Sequence, residues 1–330
     1  SIYFVPSHLE LFVKYLIDLP KDKLKKITIK TINSCGEVLK NKLVNKLRSL
    51  LPGIVIHNQY GPTEACQYSF QYEIVNDDYN SYPSIPVGVT LMNKKAYVLD
   101  VTHTPVPVGV IGELYIAGAG LARGYLNNPE LTAERFIPNP FASELDLANG
   151  YTRMYKTGDL VRWLPDGNLE YIGRNDFQVK IRGFRVELGE IEEQLLEIPQ
   201  IRQACVVAKT KTEASQQYLS AYYVLDKDLS CGENLSHDQI LGKLGLVLPD
   251  YMLPSALMEL ESLPLTINGK LDRRALPDVE FTNSRNYVAP ESELEQTIAQ
   301  IWCEILGLEK VGIHDNFFKL GGNSLNSIQL

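Results

Sequence analysis

No two cysteines share the C-x-x-C spacing: the five stand at positions 35, 66, 205, 231 and 303, and the five histidines are equally scattered. That excludes a metal cage readable from spacing and leaves free thiols in a reducing cytosol as the expectation. Positive charge is in deficit as well. Lys and Arg number 32 against 40 Asp and Glu, a net charge of −8. With a sequence pI near 5.3, broad binding of a phosphate backbone is disfavoured, and no nucleic-acid partner is expected. No window approaches the roughly 18 uninterrupted apolar residues of a membrane-spanning helix. No membrane partner is expected, and the expected location is cytoplasmic. Internal repeats are missing too. What remains is a globular composition, 45% hydrophobic and 22% charged over 330 residues, with material for about two domains. The chain starts without Met inside the apolar run Ile2–Val5, and Ser324–Leu330 reads as the opening of an amphipathic helix. Both ends predict a piece of a longer polypeptide.

Leu9, Phe12, Val13, Leu16 and Ile17 follow helical spacing, Ile27, Ile29 and Ile32 lie in a β-rich run, and Val38 to Leu50 gives a second amphipathic helix. Pro52-Gly53 ends that helix, and Ile54-Val55-Ile56 reads as a buried strand. The alternation predicts a mostly parallel sheet, with ligands collecting beyond its carboxyl edge, where Asn58 to Glu64 falls. From about 82 to 175 short strands are predicted at 96–99, 113–117, 160–163 and 169–172, separated by Gly and Pro turns. Beyond Asp176 a small α+β unit follows: strands at 178–181, 204–208 and 219–225, and helices at 188–196 and near 237–247. Pro277 to Pro290 is polar and aperiodic, a linker. Glu291 to Leu306 then opens a new helical domain.

Asn58-Gln59-Tyr60-Gly61-Pro62-Thr63-Glu64 sets a Gly-Pro turn beside a hydroxyl and a carboxylate. Glu64 is placed to hold Mg²⁺, a hard ion usually shared with substrate phosphates; a solvated turn carboxylate is the plainer alternative. Tyr155-Lys156-Thr157-Gly158-Asp159-Leu160 reads as a polar turn entering a strand. Its aspartate would accept from both hydroxyls of a ribose, or cap its own backbone in an Asx turn. In Gly173-Arg174-Asn175-Asp176, Arg174 would bridge phosphate and ribose and Asp176 stands where a hinge would turn, unless the run is an exposed edge strand. Lys270, in Asn268-Gly269-Lys270-Leu271, sits on a Gly turn that is no Walker A, because the upstream Gly and the Ser or Thr after the lysine are missing. Gly118 to Gly124 imitates a dinucleotide fingerprint, but Gly124 to Pro129 would break the helix that must follow, which rejects an NAD site. Ser324, after Gly321-Gly322, lands at a helix N-terminus without a G-x-S-x-G elbow, with only His314 nearby. It suits modification better than nucleophilic catalysis.

Taken together and in this order, these runs resemble the adenylation domains of nonribosomal peptide synthetases followed by the start of a peptidyl carrier domain. The resemblance rests on Asn58 to Glu64, Gly112 to Phe136 (GELYIAGAGLARGYLNNPELTAERF) and Tyr155 to Leu160. It continues through Gly173 to Glu192 (GRNDFQVKIRGFRVELGEIE), Leu248 to Pro254, Asn268 to Pro277 and Asp315 to Leu325. It spans essentially the whole chain, and Gly173 to Glu192 is its most specific block. It implies an α/β fold in which residues 1–175 form part of the large adenylate-forming subdomain, mixed sheets with helices plus a β-rich part. Residues 176–278 would be a small mobile α+β lobe, 279–290 a linker and 291–330 a truncated helical carrier domain.

The implied activity is ATP-dependent activation of an amino acid to an aminoacyl adenylate with release of pyrophosphate, then transfer to a phosphopantetheine thiol on the carrier domain in cis. The implied cofactors are ATP, Mg²⁺ and 4'-phosphopantetheine. By the same resemblance Glu64 would hold Mg²⁺ with Thr63 beside it, Tyr60 would lie near the adenine, and Asp159 with Arg174 would grip the ribose. Lys270 would be the mobile catalytic cation, Asp176 the hinge, and Gly183 part of the segment brought to the thiol tunnel. Ser324 would receive the arm from a phosphopantetheinyl transferase, and neighbouring condensation or other synthetase domains are implied partners. The amino-acid pocket would include Ser7, Asn33, Cys35, Gln59, Gln67 and Tyr68, whose hydrogen-bonding groups favour a polar substrate side chain. The family's phosphate-wrapping loop and amino-group aspartate would precede residue 1, so the chain alone is not expected to be active. Two rivals stay open. An acyl- or aryl-CoA ligase would share Gly173 to Glu192 and the lysine, but not the Ser324 motif. A non-catalytic carrier scaffold has intact Glu64, Asp159 and Lys270 against it.

Overall fold

The computed structural model describes residues 1–75, 78–82, 84–176, 178–181, 183–210, 217–226, 235–266, 271–279, 287–317, 320, 322, 327 and 330. They fall into two compact units, Ser1–Gly183 and Phe184–Leu330. The first opens with strand β1 (Ile2–Phe4), helix α1 (Pro6–Asp18), the single turn α2 (Lys21–Leu24), β2 (Thr31–Cys35), α3 (Asn41–Leu50), β3 (Val55–Tyr60), β4 (Phe70–Ile74) and β5 (Val89–Thr90). Pro6 starts α1 at a position where its missing N–H costs nothing. The strands lie in sequence order, β1 to β3 parallel, β4 and β5 antiparallel.

Side-chain alternation decides what each sheet face does. Ile32 and Ile56 turn to the helices and pack with Leu9, Leu16, Val44 and Leu47, each such aliphatic contributing about 1.5–3 kcal/mol. Asn33, Cys35, His57 and Gln59 alternate to the other face. Two details depart from the expectation. Ile27 and Ile29 lie outside β2 and are partly buried against the same core. And β3 runs on through Asn58-Gln59-Tyr60, because antiparallel pairing with β4, ending at Tyr60 opposite Phe70, keeps these polar residues extended.

The second sheet of this unit is antiparallel: β6 (Lys94–Leu99), β7 (Gly112–Gly118), β8 (Phe136–Pro138), β9 (Arg153–Trp163) and β10 (Leu169–Arg174), in the order β10-β9-β7-β6 with β8 also on β9. Helices α4 (Pro129–Arg135) and α5 (Glu144–Ala148) lie between strands. Asn128 caps α4 by accepting from Leu131 N at 3.0 Å. The glycine-rich run therefore leads into a turn before the helix, in keeping with the rejected dinucleotide fingerprint.

Tyr155 to Leu160, read as a turn, is interior to β9. Tyr115 pairs with Lys156 and Glu113 with Leu160, so Thr157, Gly158 and Asp159 bulge opposite Leu114. The bulge satisfies its own polar groups. Thr157 Oγ1 donates to Leu114 O at 2.8 Å, Gly158 N to Glu113 Oε1 at 3.0 Å, and Asp159 N to Thr157 Oγ1 at 3.0 Å. Gly158 has φ +76°, and a Cβ there would stand 2.7 Å from the side chains of Arg174 and Asp176. Strand β11 (Val179–Ile181) lies near the end of this unit.

The second unit contains β12 (Phe184–Val186), α6 (Leu188–Leu196), β13 (Ile201–Thr210), β14 (Gln217–Leu225), α7 (His237–Leu244), β15 (Ala256–Glu259) and α8 (Glu293–Leu306). β14 pairs antiparallel with β13 and parallel with β15. Helix α6 has the limits that its periodicity predicts. Ser292 and Glu295 form a capping box at the start of α8, and Gly307 ends it in the left-handed conformation. Among the described residues no helix is long and apolar enough to cross a membrane.

Candidate active site

Two buried carboxylates of the first unit organise its polar contacts, Asp159 on β9 and Glu64 in the turn after β3. Asp159, presented by the β9 bulge, is 4% exposed. It accepts the Tyr60 hydroxyl from the end of β3 and Arg174 Nη1 from the end of β10 at 2.8 Å. Arg174 also forks onto Asp176, Nε to Oδ1 at 2.6 Å and Nη2 to Oδ2 at 2.7 Å, and reaches Thr157 O at 3.1 Å. Lys180 Nζ lies 5.8 Å from the Tyr60 ring centroid, and Tyr171 packs on the same ring.

Burial raises the Asp159 carboxyl above its ordinary range while Arg174 and the Tyr60 hydroxyl pull it back. Burial, then the Asp159 charge, drives the Tyr60 hydroxyl well above its ordinary value, so it is a donor at neutral pH. Burial works against the Arg174 charge, but its hydrogen bonds to Asp176 and the Asp159 charge outweigh that, and the guanidinium stays charged. Burial likewise works to raise Asp176, and the Arg174 hydrogen bonds overcome it and hold the carboxyl low.

Glu64 follows four residues after Tyr60, in a short 3-10 turn, and is 7% exposed. Its Oε1 accepts from Tyr125 Oη at 2.7 Å and Tyr155 Oη at 2.9 Å, and its carbonyl accepts from Ala122 N at 2.8 Å. Thr63, beside it, is exposed. A carboxylate among phenol oxygens is a hard-oxygen site of the kind Mg²⁺ prefers. Among the described residues no group of three or more His, Cys, Asp or Glu that could hold a metal ion is found.

The expected pocket residues divide. Cys35 and Gln59 are cross-strand partners, as are Asn33 and His57, and Tyr68 stacks on Tyr3 at 6.2 Å. Asn33 Oδ1 meets His57 Nδ1 at 3.0 Å. Gln59 Nε2 donates to Gln71 Oε1 at 2.9 Å, while Gln59 Oε1 is buried without a partner. Ser7 is instead engaged with Glu37, its N–H 2.9 Å from Oε2 and its hydroxyl 3.2 Å from Oε1. Gln67 is exposed, with φ 60° directly after Cys66 at φ 56°; two successive left-handed non-glycine residues mark local strain. Gly183, at φ +81°, packs so closely on Val5 that a Cβ would stand 2.6 Å from Val5 Cγ1. Lys270 and Ser324 lie outside the described residues.

Three family models cover successive stretches of the chain: AMP-binding enzyme over residues 1–126, AMP-binding enzyme C-terminal domain over 190–270, and phosphopantetheine attachment site over 296–330. The chain belongs to the adenylation–carrier family of nonribosomal peptide synthetases. It is 44% identical over 330 residues to tyrocidine synthase 3 of Brevibacillus parabrevis, covering 99% of this chain and 5% of that protein. It is 47% identical over 314 residues to malpinin synthetase of Mortierella alpina, covering 92% of this chain and 4% of that protein. The chain therefore spans only a small part of these curated relatives. Among solved structures, a holo NRPS protein containing adenylation and PCP domains, bound to a vinylsulfonamide inhibitor, superposes with TM-score 0.75 at 29% identity over 99% of this chain and 51% of that one.

Several residues of this adenylation–carrier chain that complete the two clusters escape sequence reading. Tyr125 lies just past a glycine run that draws attention only as a dinucleotide imitation, and Tyr171 looks like an ordinary strand aromatic. His57 is hidden by strand alternation. The one usable signal is that Tyr155 lies in the same short run as Asp159.

Proposed function

We propose that this chain activates an amino acid with ATP and delivers it to a carrier-bound thiol within a nonribosomal peptide synthetase. The observation that carries the proposal is the pair of buried carboxylates, Asp159 held by Tyr60 and Arg174 and Glu64 held by Tyr155, which lies four residues before Asp159 on β9. In the first step a carboxylate oxygen of the amino acid bonds to the α-phosphorus of ATP and the bond to the bridging oxygen breaks, releasing pyrophosphate. Asp159 takes the ribose hydroxyls. Each of its oxygens has a further lone pair for a ribose hydroxyl while Arg174 and Tyr60 hold the carboxylate, and the Tyr60 ring lies near the adenine. Glu64, with Thr63 beside it, would hold Mg²⁺, which supplies charge neutralisation at the phosphates. Lys270 stabilises the charge that grows on the phosphoryl oxygens, a contact of a kind worth about 3 kcal/mol.

In the second step the thiol sulfur bonds to the acyl carbon and AMP leaves. The proposed division is 1–175, a lobe at 176–278 turning about Asp176 and carrying Gly183 to the thiol, a linker at 279–290 and the carrier start at 291–330. Ser324 receives the arm from a phosphopantetheinyl transferase, condensation or other synthetase domains flank the chain, and the reaction proceeds in the cytoplasm. Asn33, Cys35, Gln59 and Tyr68, with Ser7 and Gln67, line the amino-acid pocket, and the Gln59 carbonyl oxygen without a partner favours a side chain that donates a hydrogen bond.

The test is ATP–pyrophosphate exchange by a complete adenylation–carrier polypeptide containing this chain. Exchange that depends on an amino acid is expected. Exchange only with fatty or aryl acids would make it a CoA-ligase-like enzyme, and none with any acid would leave a carrier scaffold.

A further inference from the structure

We infer that Tyr125 and Tyr155 are positioning residues that aim the Glu64 carboxylate at the metal, and that the glycine-rich segment from Gly118 to Phe136 is the brace that holds them; the inference rests on the proposed role of Glu64. The two hydroxyls come from different elements, one from the loop after β7 and one from β9, and converge on the same oxygen, Oε1, at 2.7 and 2.9 Å. They lie 3.3 Å from each other. Two donors on one oxygen fix the carboxylate plane, which a single donor would leave free to rotate.

The chemical choice is informative. A lysine or arginine at this place would also orient the carboxylate, but its positive charge would repel a divalent cation and consume the attraction that Glu64 offers. Two phenols donate directed hydrogen bonds to the carboxylate and leave its charge in place.

The surroundings are organised to keep those phenols still. Tyr155 is 1% exposed. Phe136 packs on both rings, edge-on to Tyr125 at 5.7 Å and tilted on Tyr155 at 5.1 Å. Arg153 lies over the Phe136 ring at 5.4 Å and donates to the carbonyls of Arg123 and Ala122, each at 3.0 Å. Ala122 N in turn donates to the Glu64 carbonyl. Tyr125 N is held by Thr132 Oγ1 at 2.9 Å, from the helix that follows. The segment thus grips Glu64 by backbone and by side chain at once.

The test uses the complete adenylation–carrier polypeptide with Tyr125→Phe, Tyr155→Phe, both together, and each in a Glu64→Gln background. Mn²⁺ binding in the presence of a nonhydrolysable ATP analogue is followed by the loss of the free-ion EPR signal, and amino-acid-dependent exchange is measured against free Mg²⁺. Each single variant should weaken Mn²⁺ binding about tenfold and raise half-saturating Mg²⁺ in step, with the KM for the amino acid unchanged. In the Glu64→Gln background neither substitution should weaken Mn²⁺ further. Unchanged Mn²⁺ affinity in the variants, or an equal loss persisting in the Glu64→Gln background, overturns the inference. Should Tyr155→Phe melt, Tyr125→Phe, at a half-buried position, carries the test alone with the same two outcomes. A wild-type polypeptide without exchange or Mn²⁺ binding defeats the underlying reading, whereas normal wild-type behaviour with unaltered variants defeats only the brace.

Discussion

Replacing Arg174 by Met keeps the aliphatic stem and removes the guanidinium, which isolates the electrostatic part of the Asp159 cluster. The side chains of Arg174 and Asp159 are 11% and 6% exposed, so Asp159 would be left charged, buried and dependent on Tyr60. Breaking such a pair costs about 3–5 kcal/mol. Asp176 also loses its partner, but its side chain is 28% exposed, and that loss adds at most about 1 kcal/mol. Asp159 therefore decides the outcome.

The sign of the pH dependence follows from the same geometry. Without Arg174 the folded-state pKa of Asp159 rises further above its unfolded value of about 3.9. A carboxyl raised on folding stabilises fully below that value, and its contribution is lost as pH climbs through the folded pKa. The deficit of the variant should be largest near neutral pH and close on acidification. Native-state hydrogen exchange of β9 and β10 amides in the complete polypeptide measures the local opening free energy. Asp159→Asn combined with Arg174→Met removes both charges and should restore most of the loss. A deficit under about 1 kcal/mol, one that is flat with pH, or one that the double variant leaves intact would refute the reasoning.

Two further substitutions probe other parts of the molecule. The Asp146 carboxyl is pulled down to about 2 by hydrogen bonds from Lys95 and then Ser143. Its stabilising contribution is present above the unfolded value of about 3.9 and disappears as pH falls through the folded one. Lys95→Ala should move the carboxyl titration, followed by carbon NMR, toward the ordinary range, and a titration still near 2 would contradict this. At Gly322 a Cβ would stand 2.4 Å from Phe317 Cδ1 and 2.5 Å from its carbonyl oxygen. Gly322→Ala should push Phe317 off Trp302, destabilise the segment by about 1–3 kcal/mol and shift Trp302 fluorescence; unchanged emission and melting would show that the ring has room.

Periodicity carried the helices well, because α1 and α6 bury apolar stripes that the 3.6-residue repeat reveals directly. It failed at the site, and for one reason: strands that present function are polar where strand-formers are expected. Asn58-Gln59-Tyr60 and Thr157-Gly158-Asp159 look like turns, yet a hairpin partner in one case and a bulge in the other hold them in ladders. Glu64, Asp159 and Arg174 stood out because carboxylates and an arginine beside glycine turns are conspicuous. Their mutual arrangement did not. Tyr60 and Asp159 are 99 positions apart, and no local pattern announces that they touch. Tyr125 was masked by the glycines before it, whose conformational role drew the eye from the phenol.

Tyr60 and Glu64 sit four positions apart on one stretch of chain, and Tyr155 and Asp159 sit four apart on another, with cross-links joining each end of the first to an end of the second. Four residues and two rungs make a ladder, one rail a strand end with the turn that follows it and the other the interior of β9. The interval between the two acids is thereby set by two hydrogen-bonded rungs, while Asn33, Cys35 and Gln59 form a row across β2 and β3. If the proposed pocket assignment holds, exchanging that row leaves the spacing of Glu64 and Asp159 unchanged.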